Sequence, residues 1–254
     1  MTNNVGGWKI VPKDSWKTVV REYSDRIAKI RELNPWNATI PREHVEKPPP
    51  DECVFSRSDD PQAIFVLRRL CLFAINSGGI AFHVSQTVLD LWEHGQFIVV
   101  PLNTRFVIEC WSRVHYARSI AEKVLSGSDL DKAEEKMQQL TFGTKSEAHL
   151  PWGGTHSEIE SIHINDCLRS LKDVEPDIIE SYDFLSESSH PSFTENTYFQ
   201  MAGPPISNWD NKAYESVMRP LLEKCFVLLE QAVDGIINDM AYFILISANL
   251  QHRS

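Results

Sequence analysis

The 254-residue chain is 42% apolar and 24% charged, proportions that exclude wholesale disorder, collagen-like repeats and low-complexity composition. Its 25 basic and 35 acidic residues leave a net charge of −10, a field that disfavours non-specific wrapping of duplex DNA and leaves room only for a local basic groove. Five cysteines with no CxxC pair and no secretory leader point to reduced thiols and a cytoplasmic setting, and no charge-free apolar run is long enough to predict a membrane span.

Met1 to Pro12 shows little periodicity and reads as a loose arm. From Lys13, with Asp14 and Ser15 as N-cap types, Val19, Val20, Tyr23, Ile27, Ile30 and Leu33 recur at helical spacing until Asn34-Pro35 ends the pattern. The stretch through Pro48-Pro49-Pro50 is locked into extended backbone and reads as a strap across the surface, because each ring fixes φ and removes a donor. Residues 1–58 therefore form an N-terminal arm, helix and Pro-rich strap ahead of a helical body over 59–254. Trp8, Trp16 and Trp36 in this part suggest packing on the body, with a partner-binding arm as the competing reading.

The body opens at Asp59-Asp60-Pro61, an acidic cap with proline in the first turn. Ile64 to Phe97 is apolar around most of its circumference, with Ser77-Gly78-Gly79 in the middle; two helices or one kinked helix fit this pattern. Arg105 to Leu125 reads as a buried helix closed by Ser126-Gly127, preceded by a short apolar piece and Pro101. Asp129 caps a charged helix to about Leu140, and further helices are expected over Ser157–Leu171, from Val174-Glu175-Pro176 to Ser189, and from Asn211 to about Leu250. No strand pattern of convincing length appears. The expected fold is an all-α helical bundle.

Two polar sets interrupt the apolar helices. Tyr182, Ser186 and His190 follow i, i+4, i+8 on the stripe that Ile178 begins, and His190 stands before Pro191 at the helix end, where the dipole favours an imidazolium. The bland alternative is a histidine satisfying end-of-helix carbonyls. Arg105, Glu109, Ser112 and Tyr116 form a second stripe. Ser112 and Tyr116 read as solvent-facing, whereas Arg105 and Glu109 suit equally an intrahelical pair or a polar pocket facing His190.

Taken together, Arg-x-x-x-Glu (Arg105, Glu109) followed by Tyr-x-x-Leu-Ser-x-x-x-His-Pro (Tyr182, Leu185, Ser186, His190, Pro191) resembles a family of mostly uncharacterised bacterial proteins related to the HEPN helical superfamily. The resemblance covers Pro61 to Leu250 in order and spacing. It implies either a protein- or RNA-binding regulator, in a phage-defence or toxin–antitoxin setting, or a metal-independent ribonuclease. In the ribonuclease His190 would move protons and Arg105 would stabilise phosphate charge, with Glu109, Tyr182 and Ser186 as binding residues. HEPN-like bundles often dimerise, so a homodimer is an expectation of the same resemblance. The chain departs from the nuclease pattern in having no arginine at 183–186, which favours the binding reading.

Glu160-x-x-His163 and Glu187-x-x-His190 match the paired ligands of di-iron bundles, but of the two further glutamates such a site needs only Glu109 is a candidate, and no metal is expected. No Walker, Rossmann or zinc-ribbon pattern predicts a cofactor. His83 and His94 read as core or boundary groups, and Cys71, Cys110 and Cys225 as small hydrophobes on apolar stripes.

Overall fold

The computed structural model describes residues 20–33, 45, 47–49, 60–94, 99–128, 130–142, 161–189 and 219–251. Among these residues every regular element is a helix and no strand occurs, so the protein is an all-α helical bundle. The helices are α1 (Ser24–Glu32), α2 (Pro61–Glu93), α3 (Val99–Ser126), α4 (Leu130–Phe142), α5 (Ile164–Ser170), α6 (Ile178–Ser188) and α7 (Arg219–Gln251).

Local chemistry sets most of the boundaries. At the start of α2 the Asp60 carboxylate accepts from the backbone amides of Gln62 at 2.9 Å and Ala63 at 3.4 Å, while Pro61 contributes no orphan N–H. The third helix begins earlier than its apolar periodicity suggests and takes Pro101 into its first turn, where no intrahelical N–H is lost. It closes on Gly127 at φ 85°, with Gly127 N–H donating to Val124 O at 3.2 Å and Ser128 N–H to Lys123 O at 2.9 Å. This is the paired closure that a left-handed glycine permits. The imidazole Nδ1 of His163 accepts from the amide of Asn165 and caps α5. His83 and His94, expected as core or boundary groups, are both exposed.

The chain packs as two compact units, each drawn from three segments. One comprises Met1–Leu33, His83–Ile108 and Glu180–Val233; the other comprises Asn34–Phe82, Glu109–Ile179 and Asp234–Ser254. Helices α2, α3, α6 and α7 each contribute residues to both units.

In the first unit the apolar stripe of α1 buries Tyr23, Ile27 and Ile30. Tyr23 meets Trp92 edge-on at 5.3 Å and stacks on Phe226 at 5.0 Å, and Trp92 meets Phe226 edge-on at 5.0 Å. Charges on the other side of α1 tie it down: Arg31 pairs with Asp90 at 2.7 Å and Glu93 at 3.1 Å, Glu22 pairs with Arg219 at 2.6 Å, and Lys29 pairs with Glu230.

The second unit is built on Val66, Leu70, Ala74, Val114, Ala117, Ala121, Met137, Phe243 and Ile246. Val45 of the strap is part of this core and Pro49 is also buried, so the expected strap is docked at these positions. The glycine step in α2 does not break the helix. A Cβ at Gly78 would stand 2.3 Å from Met240 Sδ, and one at Gly235 would stand 2.3–2.5 Å from the Trp111 indole. Both glycines let helices approach closely, and that contact offsets their weak helix propensity.

Two helices, Pro61–Glu93 and Arg219–Leu250, are long and apolar enough to cross a membrane by length and composition alone, and about half of each apolar stretch is buried within the fold. The core helix of a water-exposed protein passes the same test.

Gly235→Val drives a branched side chain into the Trp111 ring and should lower stability by about 1–3 kcal/mol, the usual overpacking penalty. Urea unfolding followed by far-UV circular dichroism measures it; an unchanged midpoint would show that the indole has room to move.

Candidate functional site

In the first unit α3 and α6 bring together two residues of the sequence motifs. Arg105 Nη2 donates to the Tyr182 hydroxyl at 3.0 Å, and its guanidinium carbon lies 5.0 Å from the centre of the Tyr182 ring. Tyr182 is buried because it shares the inward stripe of α6 with Ile178 and Leu185. Arg105 is half-buried and keeps a charge whose position is fixed by the ring beneath it. One turn further along, the Ser186 hydroxyl donates to Tyr182 O at 2.8 Å, so that hydroxyl is bonded within its own helix. Glu109 falls in the second unit, half-buried, its carbonyl accepting from Ser112 Oγ at 2.9 Å. His190 and Pro191 lie outside the described residues, as does Glu160.

The expectation that Ser112 and Tyr116 face solvent is corrected: Ser112 is fully buried and Tyr116 half-buried. A serine that donates to its own i−3 carbonyl carries no unsatisfied hydroxyl into the core, so its polarity does not mark an outer face.

The second unit holds a buried polar cluster that the motifs did not flag. Asp239 on α7 is 1% exposed, and on α3 Arg118 is 4% exposed. Arg118 Nη1 donates to Asp239 Oδ1 at 3.0 Å, Nη2 donates to Lys47 O at 3.0 Å, and Nε donates to Glu122 Oε1 at 3.2 Å. The guanidinium lies 4.4 Å over the Tyr242 ring. His115 Nδ1 sits 3.0 Å from Asp239 Oδ2. A carboxylate facing arginine only accepts, so the Nδ1 of His115 donates to it. The Tyr242 hydroxyl is buried with no hydrogen-bond partner among the described residues, and burial pushes its ionisation well above the ordinary tyrosine value.

His115 and Arg118 stand three residues apart on α3, one turn of the same face, whereas Asp239 is 121 positions from Arg118. The available signal was an Asp on the apolar stripe of α7 with no basic residue one turn away.

No protein-family model matches the chain, and neither does any curated protein or solved structure.

Among the described residues no three His, Cys, Asp or Glu side chains are grouped so as to hold a metal ion, and the Nδ1 of His163 is engaged as a helix cap. Cys71, Cys110, Cys167 and Cys225 are all buried thiols. Burial pushes Cys71, Cys110 and Cys167 up to about 12, and Cys225 is raised for the same reason. At neutral pH these thiols are protonated and poor nucleophiles.

Asp239→Ala removes the buried one of Arg118's two carboxylate partners, leaving the more exposed Glu122, and should cost up to about 3–5 kcal/mol, read from the urea midpoint. Replacing both partners with apolar residues, Arg118→Met with Asp239→Leu, should recover part of that loss. A single-variant loss below about 0.5 kcal/mol would mean that water already reaches the pair.

The thiols predict alkaline weakening. An unfolded cysteine releases its proton near its ordinary value of 9, whereas the folded Cys71, Cys110 and Cys167 hold theirs up to about 12. Across that window the unfolded chain binds fewer protons, so stability is fully present below pH 9 and falls as pH rises towards 12. The slope is about 1.4 kcal/mol per pH unit for each thiol. Urea midpoints at pH 8, 9.5 and 11 should fall in that order; a flat series would contradict the buried thiols.

Proposed function

We propose that the chain is a HEPN-like helical binding or regulatory protein whose partner is a protein or an RNA. The observation that carries this reading is the Arg105–Tyr182 pair, a guanidinium held by hydrogen bond and ring face in one orientation. A fixed cation recognises a ligand's negative charge, and neither group of the pair moves protons at neutral pH. Two further observations support it. The four described thiols are suppressed as nucleophiles, and the Ser186 hydroxyl is engaged by its own helix. Exposed apolar side chains, Leu102 and Phe106 in the first unit and Phe65, Leu72 and Ile80 in the second, add surface of the kind that partners cover. A cytoplasmic location without a membrane partner belongs to the same proposal. The defence or toxin–antitoxin setting and a homodimeric state follow from the resemblance alone.

The second reading is the metal-independent ribonuclease. In its favour, Arg105 and Tyr182 come from the two separate motifs and meet, and His190 follows Tyr182 by eight positions in the sequence. The catalytic histidine would then act beside a preset phosphate-binding cation.

Micromolar full-length protein, incubated with a panel of single-stranded and hairpin RNAs in the presence of a chelator, separates the two. The binding reading expects intact RNA; where an RNA is retained, Arg105→Ala should weaken retention about tenfold, as for loss of a charge-assisted hydrogen bond. Cleavage by the wild type that disappears in a folded His190→Ala variant replaces this reading with the nuclease. An RNA panel neither bound nor cut assigns the partner to protein.

A further inference from the structure

A helix facing water normally carries charge on its outer side, and in the second unit α4 does so with Asp131, Lys132 and Glu135. The middle of α2 does not. Leu72 and Ile80 are 54% and 53% exposed, with Asn76 exposed between them and Phe65 exposed two turns earlier. No charged residue occurs from Leu70 to Phe82; Arg68 and Arg69, the latter 5.4 Å over the Phe65 ring, stand where that stretch begins. The inward side of the same turns is taken by Cys71, Ala74, Gly78 and Ala81, so folding one chain leaves Leu72 and Ile80 half in water. Ile244 on α7 is exposed too, next to Phe243, whose carbonyl accepts from the Cys71 thiol at 3.5 Å, and α7 has no charged residue from Met240 to Gln251.

We propose that this face of α2 is a contact between two copies of the chain, related by a two-fold axis through Asn76. Leu72, Asn76 and Ile80 are four residues apart and form a single ridge, the row that interdigitates when helices cross at about 50°. With Asn76 on the axis, Leu72 of one copy meets Ile80 of the other, about 6 Å to either side along the helix. Asn76 is what selects a second copy over other apolar cover. A carboxamide both donates and accepts, so two of them facing each other are mutually satisfied, whereas lipid or a wholly apolar partner strands it. Charge points the same way. Two chains of net charge −10 repel, and they approach closely at least cost through surface that carries no charge of its own. An RNA finds no cation on this ridge. The contact is separate from the Arg105–Tyr182 reading, whose residues lie in the first unit, and it rests on exposure and spacing.

Sedimentation velocity on the full-length chain at micromolar concentration should show two copies. Leu72→Glu with Ile80→Glu brings carboxylates together across the axis and should raise the dissociation constant about a hundredfold or more, leaving single chains with unchanged far-UV dichroism. A wild type that sediments as one chain overturns the proposal, and one that also floats with phosphatidylcholine vesicles assigns the face to lipid. A dimer that persists in the folded double variant uses another surface and overturns it as well. Should the double variant lose its helical dichroism, a thiol at the axis decides. In a chain where Cys53→Ser removes the cysteine outside the described residues, the four described thiols are buried and Asn76→Cys adds an exposed one. Mild copper-catalysed oxidation should link the Asn76→Cys chains into a disulfide dimer at least tenfold faster than Lys132→Cys chains, whose thiol is exposed on α4. Equal linking at the two positions, or none at position 76, overturns the contact. Neither result bears on ligand binding at Arg105.

Discussion

A carboxylate taken out of water on an apolar helix has few stable options, and Asp239 meets that constraint with two partners from one neighbouring helix. Arg118 and His115 are one turn apart on α3 and reach the two oxygens of the same side chain. The pair therefore fixes both which face of α3 meets α7 and the axial register between them, since a slip by one residue would rotate both donors away. Such a pair adds little net stability compared with a well-packed apolar substitute; what it supplies is discrimination against other packings, because each of those leaves a buried charge alone. The strap carbonyl and the face of Tyr242 fill the remaining sides of the guanidinium.

Much of the helix plan was legible because punctuation in this chain is local. Asp60-Pro61 and Ser126-Gly127 act through their own backbone, so a reader of the sequence sees the same groups that the folded chain uses. The helix expected over Ser157–Leu171 is shorter among the described residues, since 161–163 are not helical and His163 caps α5. The Ser77-Gly78-Gly79 step was ambiguous for the opposite reason. Whether glycine breaks a helix or lets another helix approach is decided by Met240 and Ile236, more than 150 positions away. Ser112 misled in a similar manner, since its hydroxyl is satisfied by its own helix and carries no information about the outer face. Of the candidate site, Arg105 and Tyr182 were readable from their motifs and they do meet. The Arg118–Asp239 pair was not, because no spacing rule links two charges that are neighbours only after folding.

The functional reading rests on a contrast between the two units. In the first, a cation sits half-buried on a tyrosine that fixes its orientation. In the second, a cation of the same type is buried, held by the Asp239 carboxylate, the Lys47 carbonyl and the more exposed Glu122. Identical side chains thus do different work according to how much water they keep. A guanidinium that retains some solvent can exchange it for a ligand's anion at modest desolvation cost, whereas one already stripped of water serves as a fixed post.

The contact between Gly78 and Met240 has a consequence for redox chemistry. Met240 is 1% exposed and its sulfur lies where even a single added carbon on α2 would not fit. A sulfoxide oxygen needs space of the same order and a hydrogen-bond donor as well, so the folded chain shields this thioether from peroxide. An oxygen added there in an opened molecule would oppose the close approach of α2 and α7.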